Sequence, residues 1–250
     1  MKRVIIVQAR MTSSRLPGKV LMDLAGRPML SQQFRRLRAC RKVDEVMVAT
    51  TTNASDDGIV AWARQEGVRC FRGSEENVLS RYLGAAREAK AELIVRITAD
   101  CPLIDPEETD RVIEALETNQ GGSDYAANNL ERTFPRGLDT EAFFMDALER
   151  VGRLASSASA LEHVTFAIYA EHPQLFLIRS IKDRDNNSDL RWTVDTRDDF
   201  AMVQTLYDQL DLAADILPYR QILSHVRAHP DIAAINSFVK QKDPTLTTPL

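Results

Sequence analysis

The sequence predicts an α/β fold: a doubly wound, mostly parallel sheet with a small antiparallel lobe. Three observations carry this prediction. Apolar runs rich in β-branched residues, such as Val4–Val7 and Leu93–Ile97, continue without polar alternation, as strands buried on both faces do. Patterns with helical spacing separate these runs, so successive strands are joined by crossovers. Each run ends in a polar cluster, where open α/β sheets bind their ligands.

The elements follow in order. After the first strand, a loop starts near Ala9 and runs through QARMTSSRLPGKVL, Gln8–Leu21. It carries Arg10, Arg15 and Lys19, the hydroxyls of Thr12, Ser13 and Ser14, and a Pro17-Gly18 turn that lets backbone amides point inward. Residues 28–40 read as a helix with Met29, Leu30, Phe34 and Leu37 on its apolar side. Glu45–Thr50 is the second strand and delivers Thr50-Thr51-Thr52-Asn53. A helix over 56–66 precedes a short strand, Val68–Phe71, that runs into Arg72-Gly73-Ser74. Ser74 with Asn77 three residues on, or Glu76 itself, caps the next helix, whose apolar face is Val78, Leu79, Tyr82, Leu83 and Ala86. The strand Leu93–Ile97 then delivers Thr98-Ala99-Asp100-Cys101-Pro102.

Past a helix over 106–118 and its exit loop, 119–123, the rhythm changes. DYAANN (124–129) and TEAFF (140–144) read as short strands around the loop 131–138, an antiparallel patch closing one side of a site. A helix over 160–170 carries Glu162 and His163, and a strand over 175–181 follows. The polar segment 182–189 reads as a mobile loop near the ligand, and 190–194 as a strand ending in Asp195. Helices over 198–210, 218–228 and 231–240 complete a domain of residues 1–240, with 241–250 as a frayed tail.

Composition narrows the function. The chain of 250 residues has a net charge of −4, which argues against a nucleic-acid polymer as partner; a small phosphorylated ligand needs only a local basic pocket. Cys40, Cys70 and Cys101 have neither disulfide nor zinc spacing, which fits a reducing cytoplasm. No apolar run approaches membrane-spanning length.

Three cations among small, flexible residues after a buried strand suit a polyphosphate. The loop is not a Walker A motif, because Val20 follows Gly18-Lys19 and Ser13 stands where the first glycine would be. Asp100 and Asp195 both follow predicted strands, as carboxylates that hold Mg²⁺ beside phosphates do.

QARMTSSRLPGKVL resembles the amino-terminal signature of sugar cytidylyltransferases, which make CMP-sugars from acidic sugars such as Kdo or sialic acids, and is most similar to the spore coat polysaccharide branch. TADCPLID and RWTVDTRDDF extend the resemblance, which runs from Lys2 to about Leu210. It implies a Rossmann-like, nucleotide-diphospho-sugar transferase (GT-A-like) fold and transfer of CMP from CTP to a sugar with release of pyrophosphate. It further implies that Asp100 and Asp195 hold Mg²⁺ and that Arg10, Arg15 and Lys19 hold the phosphates that leave. Ala9, Ser14, Thr50, Thr51, Gly73, Ser74, Arg81 and Thr98 would line the nucleotide. PRGLDTE and LEHVT would face the sugar through Arg136, Glu141, Glu162 and His163, with Asp195 or His163 assisting deprotonation. A homodimer is implied too, with residues 120–147 as an antiparallel lobe or dimer element. Where the family often has DVLDRY this chain has Asn77-Val-Leu-Ser80-Arg-Tyr.

Two other readings have a basis in the residues. A glycosyltransferase using a ready-made nucleotide sugar shares such a sheet, but the D-x-D pair frequent in those enzymes is missing around Asp100. A non-catalytic nucleotide-binding assembly subunit would keep the fold without turnover.

Overall fold

The computed structural model describes residues 1–118 and 122–241. The segment 119–121 of the predicted exit loop and the predicted tail from 242 onward lie outside the described residues.

The chain begins with β1 (Arg3–Gln8), followed by the loop and a short ribbon of β2 (Asp23–Leu24) and β3 (Arg27–Pro28). Then come α1 (Met29–Leu37), β4 (Glu45–Thr51), α2 (Asp57–Gln65), β5 (Arg69–Gly73), α3 (Val78–Ala89), β6 (Leu93–Thr98) and α4 (Pro106–Glu117). The second half holds β7 (Tyr125–Ala127), β8 (Glu141–Phe144), α5 (Met145–Leu154), α6 (Ala158–His163), β9 (Ile178–Ser180), α7 (Arg197–Gln209), α8 (Tyr219–Ala228) and α9 (Pro230–Ala234).

The strands form a seven-stranded sheet in the order β5-β4-β1-β6-β8-β7-β9. β1 pairs in parallel with both β4 and β6, and β4 with β5. The strand order reverses at β1 and β6, so the crevice of an open α/β sheet falls at their carboxyl ends. The antiparallel strands predicted over 124–144 are present, and a second antiparallel pair forms over 23–28, where none was predicted. β8 runs antiparallel to β6 and β7 inside the main sheet, and β2 pairs antiparallel with β3 in the separate ribbon.

Side chains alternate across the sheet as the pleat requires. Ile5, Val7, Val48, Val95 and Ile97 pack on the face covered by α1, α2 and α4. Val4, Ile6, Met47 and Ile94 face α3, α5 and α6. Helices on both faces make the sheet doubly wound, as predicted. A third cluster, built on Leu16, Leu24, Leu138, Trp192, Val194, Leu206, Tyr207 and Tyr219, packs α7 and α8 against the ribbon and the loops around the site.

Several predicted elements differ. Residues 190–194 do not join the sheet: an isolated parallel bridge ties Arg191 to Arg136, and the Val194 amide donates to the Asp100 carbonyl at 2.8 Å. The helix predicted over 160–170 is broken, because Val164 sits at φ 51°, ψ −66° between α6 and a π-turn at Ala167–Glu171. A β-branched residue in that region is strained. α9 stops at Ala234 rather than running to 240, and the strand over 175–181 contracts to β9. The cap of α3 is Asn77, accepting from the Ser80 amide at 2.8 Å, while the Ser74 hydroxyl accepts the Asn77 amide at 3.0 Å and Glu76 takes no part. The polar segment 182–189 is pinned, with Asp183 buried and accepting hydrogen bonds from Tyr219 and Arg220 of α8.

Candidate active site

The phosphate-loop candidate is held from below by one buried carboxylate. Asp56 accepts the Met11 amide at 2.8 Å through Oδ1, while its Oδ2 accepts the hydroxyls of Thr50 at 3.0 Å and Thr51 at 2.6 Å. Burial pushes this carboxyl up, but the Met11 amide and the two threonines more than offset that and hold it below the usual range. Thr50 and Thr51 thus spend their hydroxyls on Asp56, and the loop starts from a fixed point. The Gly18 amide closes the loop onto the Met11 carbonyl at 2.8 Å. Gly18 has φ 73°, a left-handed conformation that glycine adopts at no steric cost, and it starts a 3₁₀ turn at Lys19–Leu21.

This turn sends Lys19 inward. Its side chain is only 9% exposed, and Nζ donates to the Val194 carbonyl at 2.6 Å and to Asp195 Oδ1 at 2.9 Å, with Asp100 Oδ2 at 3.5 Å. Arg15 Nη2 lies 2.7 Å from Asp195 Oδ2, and Arg191 Nη2 donates to the same oxygen at 2.8 Å. Arg15 and Lys19 of the loop and the two predicted acids therefore meet in one cluster, while Arg10 stands apart from it. Burial lowers the Lys19 ammonium, yet Asp100 and Asp195 outweigh it, and its pKa stands above the ordinary value. Burial likewise raises Asp195, but Lys19, Arg15 and Arg191 pull it below the usual range.

Asp195 is placed through a route that its strand-like sequence does not reveal. Asp199, fully buried in the first turn of α7, accepts the amides of Asp195 at 2.9 Å and Thr196 at 3.0 Å, and its Oδ1 accepts Arg191 Nε at 2.8 Å. Thr196 and Asp199 complete a capping box at that helix start. Buried Asn236 donates to Asp199 Oδ1 and to the Arg191 carbonyl, both at 2.9 Å, so the carboxyl-terminal segment buttresses the acid. On the other side the Thr193 hydroxyl and the Val194 amide both donate to the Asp100 carbonyl, so the two acids are joined through their backbones.

At the mouth, Glu75 lies 3.2 Å from Arg10 Nη1 and accepts the Thr12 hydroxyl at 2.8 Å and the Asn53 amide group. Ala9 is buried, its amide donating to the Ala49 carbonyl at 3.1 Å. Arg81, buried on α3, donates to the Ser74 carbonyl and packs against Gly73. Thr98 donates to Asp100 Oδ1. Ser14 lies in the same loop, within the run that Gly18 closes.

The predicted sugar-side residues are scattered. Glu141 is nearly fully buried: Oε1 accepts Tyr125 at 2.8 Å and Thr165 at 2.9 Å, and Oε2 pairs with Arg96. Arg96 in turn donates to Gln8 at 3.1 Å. Glu141 therefore organises the wall beside β1 and β6, with its oxygens already committed. Arg136 is half-buried with no ion pair among the described residues; burial and the nearby Arg132 and Arg191 lower its pKa. Arg132 is itself bound in two-pronged fashion by Asp139 at 2.6 and 2.8 Å. The His163 ring lies tilted, 6.5 Å from the Phe166 ring, and Glu162 is exposed at the end of α6.

Sequence reasoning missed Asp56, Glu75, Arg191 and Asp199. Asp56 and Asp199 read as ordinary residues at helix starts, and Arg191 as one residue of an apolar run. The T-x-x-D spacing of Thr196 and Asp199 is a signal of a cap, but nothing in it announces the second task of holding Arg191.

As to a metal, Asp100 and Asp195 fit one divalent cation. Both present hard carboxylate oxygens, and both already reach toward a single ammonium. Among the described residues no group of three or more His, Cys, Asp or Glu gathers to hold an ion, so phosphate oxygens would have to complete its shell.

An open α/β sheet with a cationic loop after β1 and paired acids at its crevice is a nucleotidyltransferase fold of the Rossmann-like kind. The cytidylyltransferase family profile matches residues 4–223, and the chain belongs to that family. It is 38% identical over 245 residues to an uncharacterised protein of Methanocaldococcus jannaschii, with 97% of each chain covered. It is 32% identical over 237 residues to the spore coat polysaccharide biosynthesis protein SpsF of Bacillus subtilis, covering 92% of this chain and 96% of that one. A solved cytidylyltransferase structure from Leptospira borgpetersenii superposes with a TM-score of 0.89 at 30% identity, covering 97% of this chain and all of the other. No helix of the described residues is long and apolar enough to cross a membrane.

Proposed function

We propose that the protein activates an acidic sugar by transferring CMP to it from CTP, for the assembly of a surface polysaccharide or related glycan. A sugar hydroxyl oxygen forms a bond to the α-phosphorus, the bond from that phosphorus to the bridging oxygen breaks, and pyrophosphate leaves. The hydroxyl proton passes to solvent or to a basic group of the acceptor. The observation that carries this reading is the meeting of Arg15, Lys19, Asp100 and Asp195 in one cluster at the β1/β6 crevice.

In this reading Arg15 and Lys19 bind the two departing phosphates, and Arg10 guides them at the mouth. The fixed loop start at Ala9 and the walls around Gly73, Ser74 and Thr98 hold the nucleoside. Asp100 and Asp195 would hold Mg²⁺, which supplies neutralisation of the phosphate charge. Asp195, kept ionised by three cations, suits cation binding better than proton abstraction. Arg136, with no ion pair among the described residues and with Arg132 and Arg191 nearby as well as Asp139 and Asp195, supports an anionic acceptor. Free cysteines support a reducing, cytoplasmic setting, and the family resemblance supports a homodimer.

The test is pyrophosphate release on mixing the protein with Mg²⁺, each of the four nucleoside triphosphates and a panel of sugar acids and neutral sugars. Release with CTP and an acidic sugar is the expected result. Absence of release with every pair, beside transfer from a ready-made nucleotide sugar, would sink the proposal.

A further inference from the structure

The loop cations and the acids are already neutralised against one another. Asp195 gives one carboxylate oxygen to Lys19 and the other to Arg15 and Arg191, while Lys19 also faces Asp100 and Arg191 also faces Asp199. Three cations thus meet three carboxylates, Asp100, Asp195 and Asp199, and the cluster has no net charge to draw in a dication. The same self-pairing occurs at the mouth, where Glu75 holds Arg10. The Lys19 ammonium sits 2.9 Å from Asp195 and 3.5 Å from Asp100, in the gap that a bridging ion would enter. An ion that needs carboxylate oxygens at about 2.0–2.1 Å cannot share that gap with it.

We propose that Lys19, supported by Arg15 and Arg191, is a resident stand-in for the divalent cation, so that Asp100 and Asp195 accept the metal only together with the nucleotide. The triphosphate gives the displaced cations new partners, and the metal takes the place they leave. Free metal arriving alone would have to expel the ammonium from two carboxylates and leave it only the neutral Val194 carbonyl, an exchange that Coulomb's law makes unfavourable in a half-buried site. The metal role of the two acids and the identity of the nucleotide rest on the cytidylyl-transfer reading above.

Electron paramagnetic resonance of free Mn²⁺ tests this on the full-length protein. Wild type with Mn²⁺ alone is expected to deplete little of the free-ion signal, and Mn²⁺ with CTP to deplete it strongly. Lys19→Met is expected to bind Mn²⁺ without nucleotide, at least about tenfold more tightly than wild type, since one positive charge has left the acid pair. Adding Asp195→Asn to that variant should abolish the gain. Arg15→Gln, at a more exposed position, provides a second variant with a smaller gain in the same direction, and circular dichroism verifies that each is folded. Wild type binding Mn²⁺ alone as tightly as with nucleotide, or folded variants that gain nothing, would overturn the proposal. If another nucleoside triphosphate creates the site and CTP does not, the stand-in role holds and the cytidine reading fails.

Discussion

At the scale of single residues, the site is a balance of buried charges, and its acids respond to pH in a defined direction. Asp195 is held below the ordinary carboxyl range by Lys19, Arg15 and Arg191 against the opposing effect of burial, and Asp199 by Arg191, the Asp195 amide and Asn236. A carboxyl whose folded pKa is depressed contributes stability that is complete above its unfolded value of about 3.9 and is lost as pH falls through the folded value. The unfolded chain then binds more protons than the folded one, so stability climbs with pH in that window. Urea unfolding at a series of pH values is expected to show the midpoint dropping steeply as pH falls below about 4, and Asp199→Asn is expected to flatten that slope. Equal slopes in the two proteins would show that Asp199 gains no such depression from its partners.

Among the elements, the two crossing segments 135–138 and 190–194 decide where Asp195 stands. The Arg136 amide donates to the Leu190 carbonyl at 3.0 Å and the Trp192 amide to the Arg136 carbonyl at 2.6 Å. Directly after this doubly bonded residue comes Gly137, at φ 111°, where an added Cβ would meet the Thr193 nitrogen and the Trp192 carbonyl carbon at 2.6 Å. Those neighbours are backbone and cannot turn aside. Gly137→Ala is therefore expected to push the 190–194 segment away, costing about 1–3 kcal/mol of stability and cutting kcat by at least about tenfold, because the acid shifts against its partner. Unfolding and steady-state kinetics of that variant give the answer; wild-type values for both would remove this crossing from the account. The crossing also explains an error of prediction. RWTV has the β-branched and aromatic character of a strand, but its pairing partner is a loop around a glycine, which apolar periodicity does not register.

For the molecule as a whole, what the sequence makes legible follows the physics of each half. The parallel layer was readable because buried runs such as Val4–Val7 and Leu93–Ile97 leave no alternative to strands covered on both faces, and because the phosphate loop follows the first of them. Asp100 was readable for the same reason, standing just past β6. The second half was less so. β7 is three residues long, the helix after Ala158 breaks at a strained Val164, and Glu141 spends its carboxylate on Tyr125, Thr165 and Arg96. Such features depend on contacts between distant segments, and a local pattern cannot hold them. Asp56, Arg191 and Asp199 belong to the same category, since each works by joining parts of the chain that meet only in the fold.

One site is expected to receive both the triphosphate and its metal, between the loop of Arg15 and Lys19 and the acids Asp100 and Asp195. Crystals grown with CTP and Mn²⁺ and measured at the manganese edge address it directly. An anomalous peak is expected within coordination distance of both Asp100 and Asp195, with the β- and γ-phosphates against Arg15 and Lys19. Manganese bound away from either aspartate, or phosphates lying outside that loop, would contradict it.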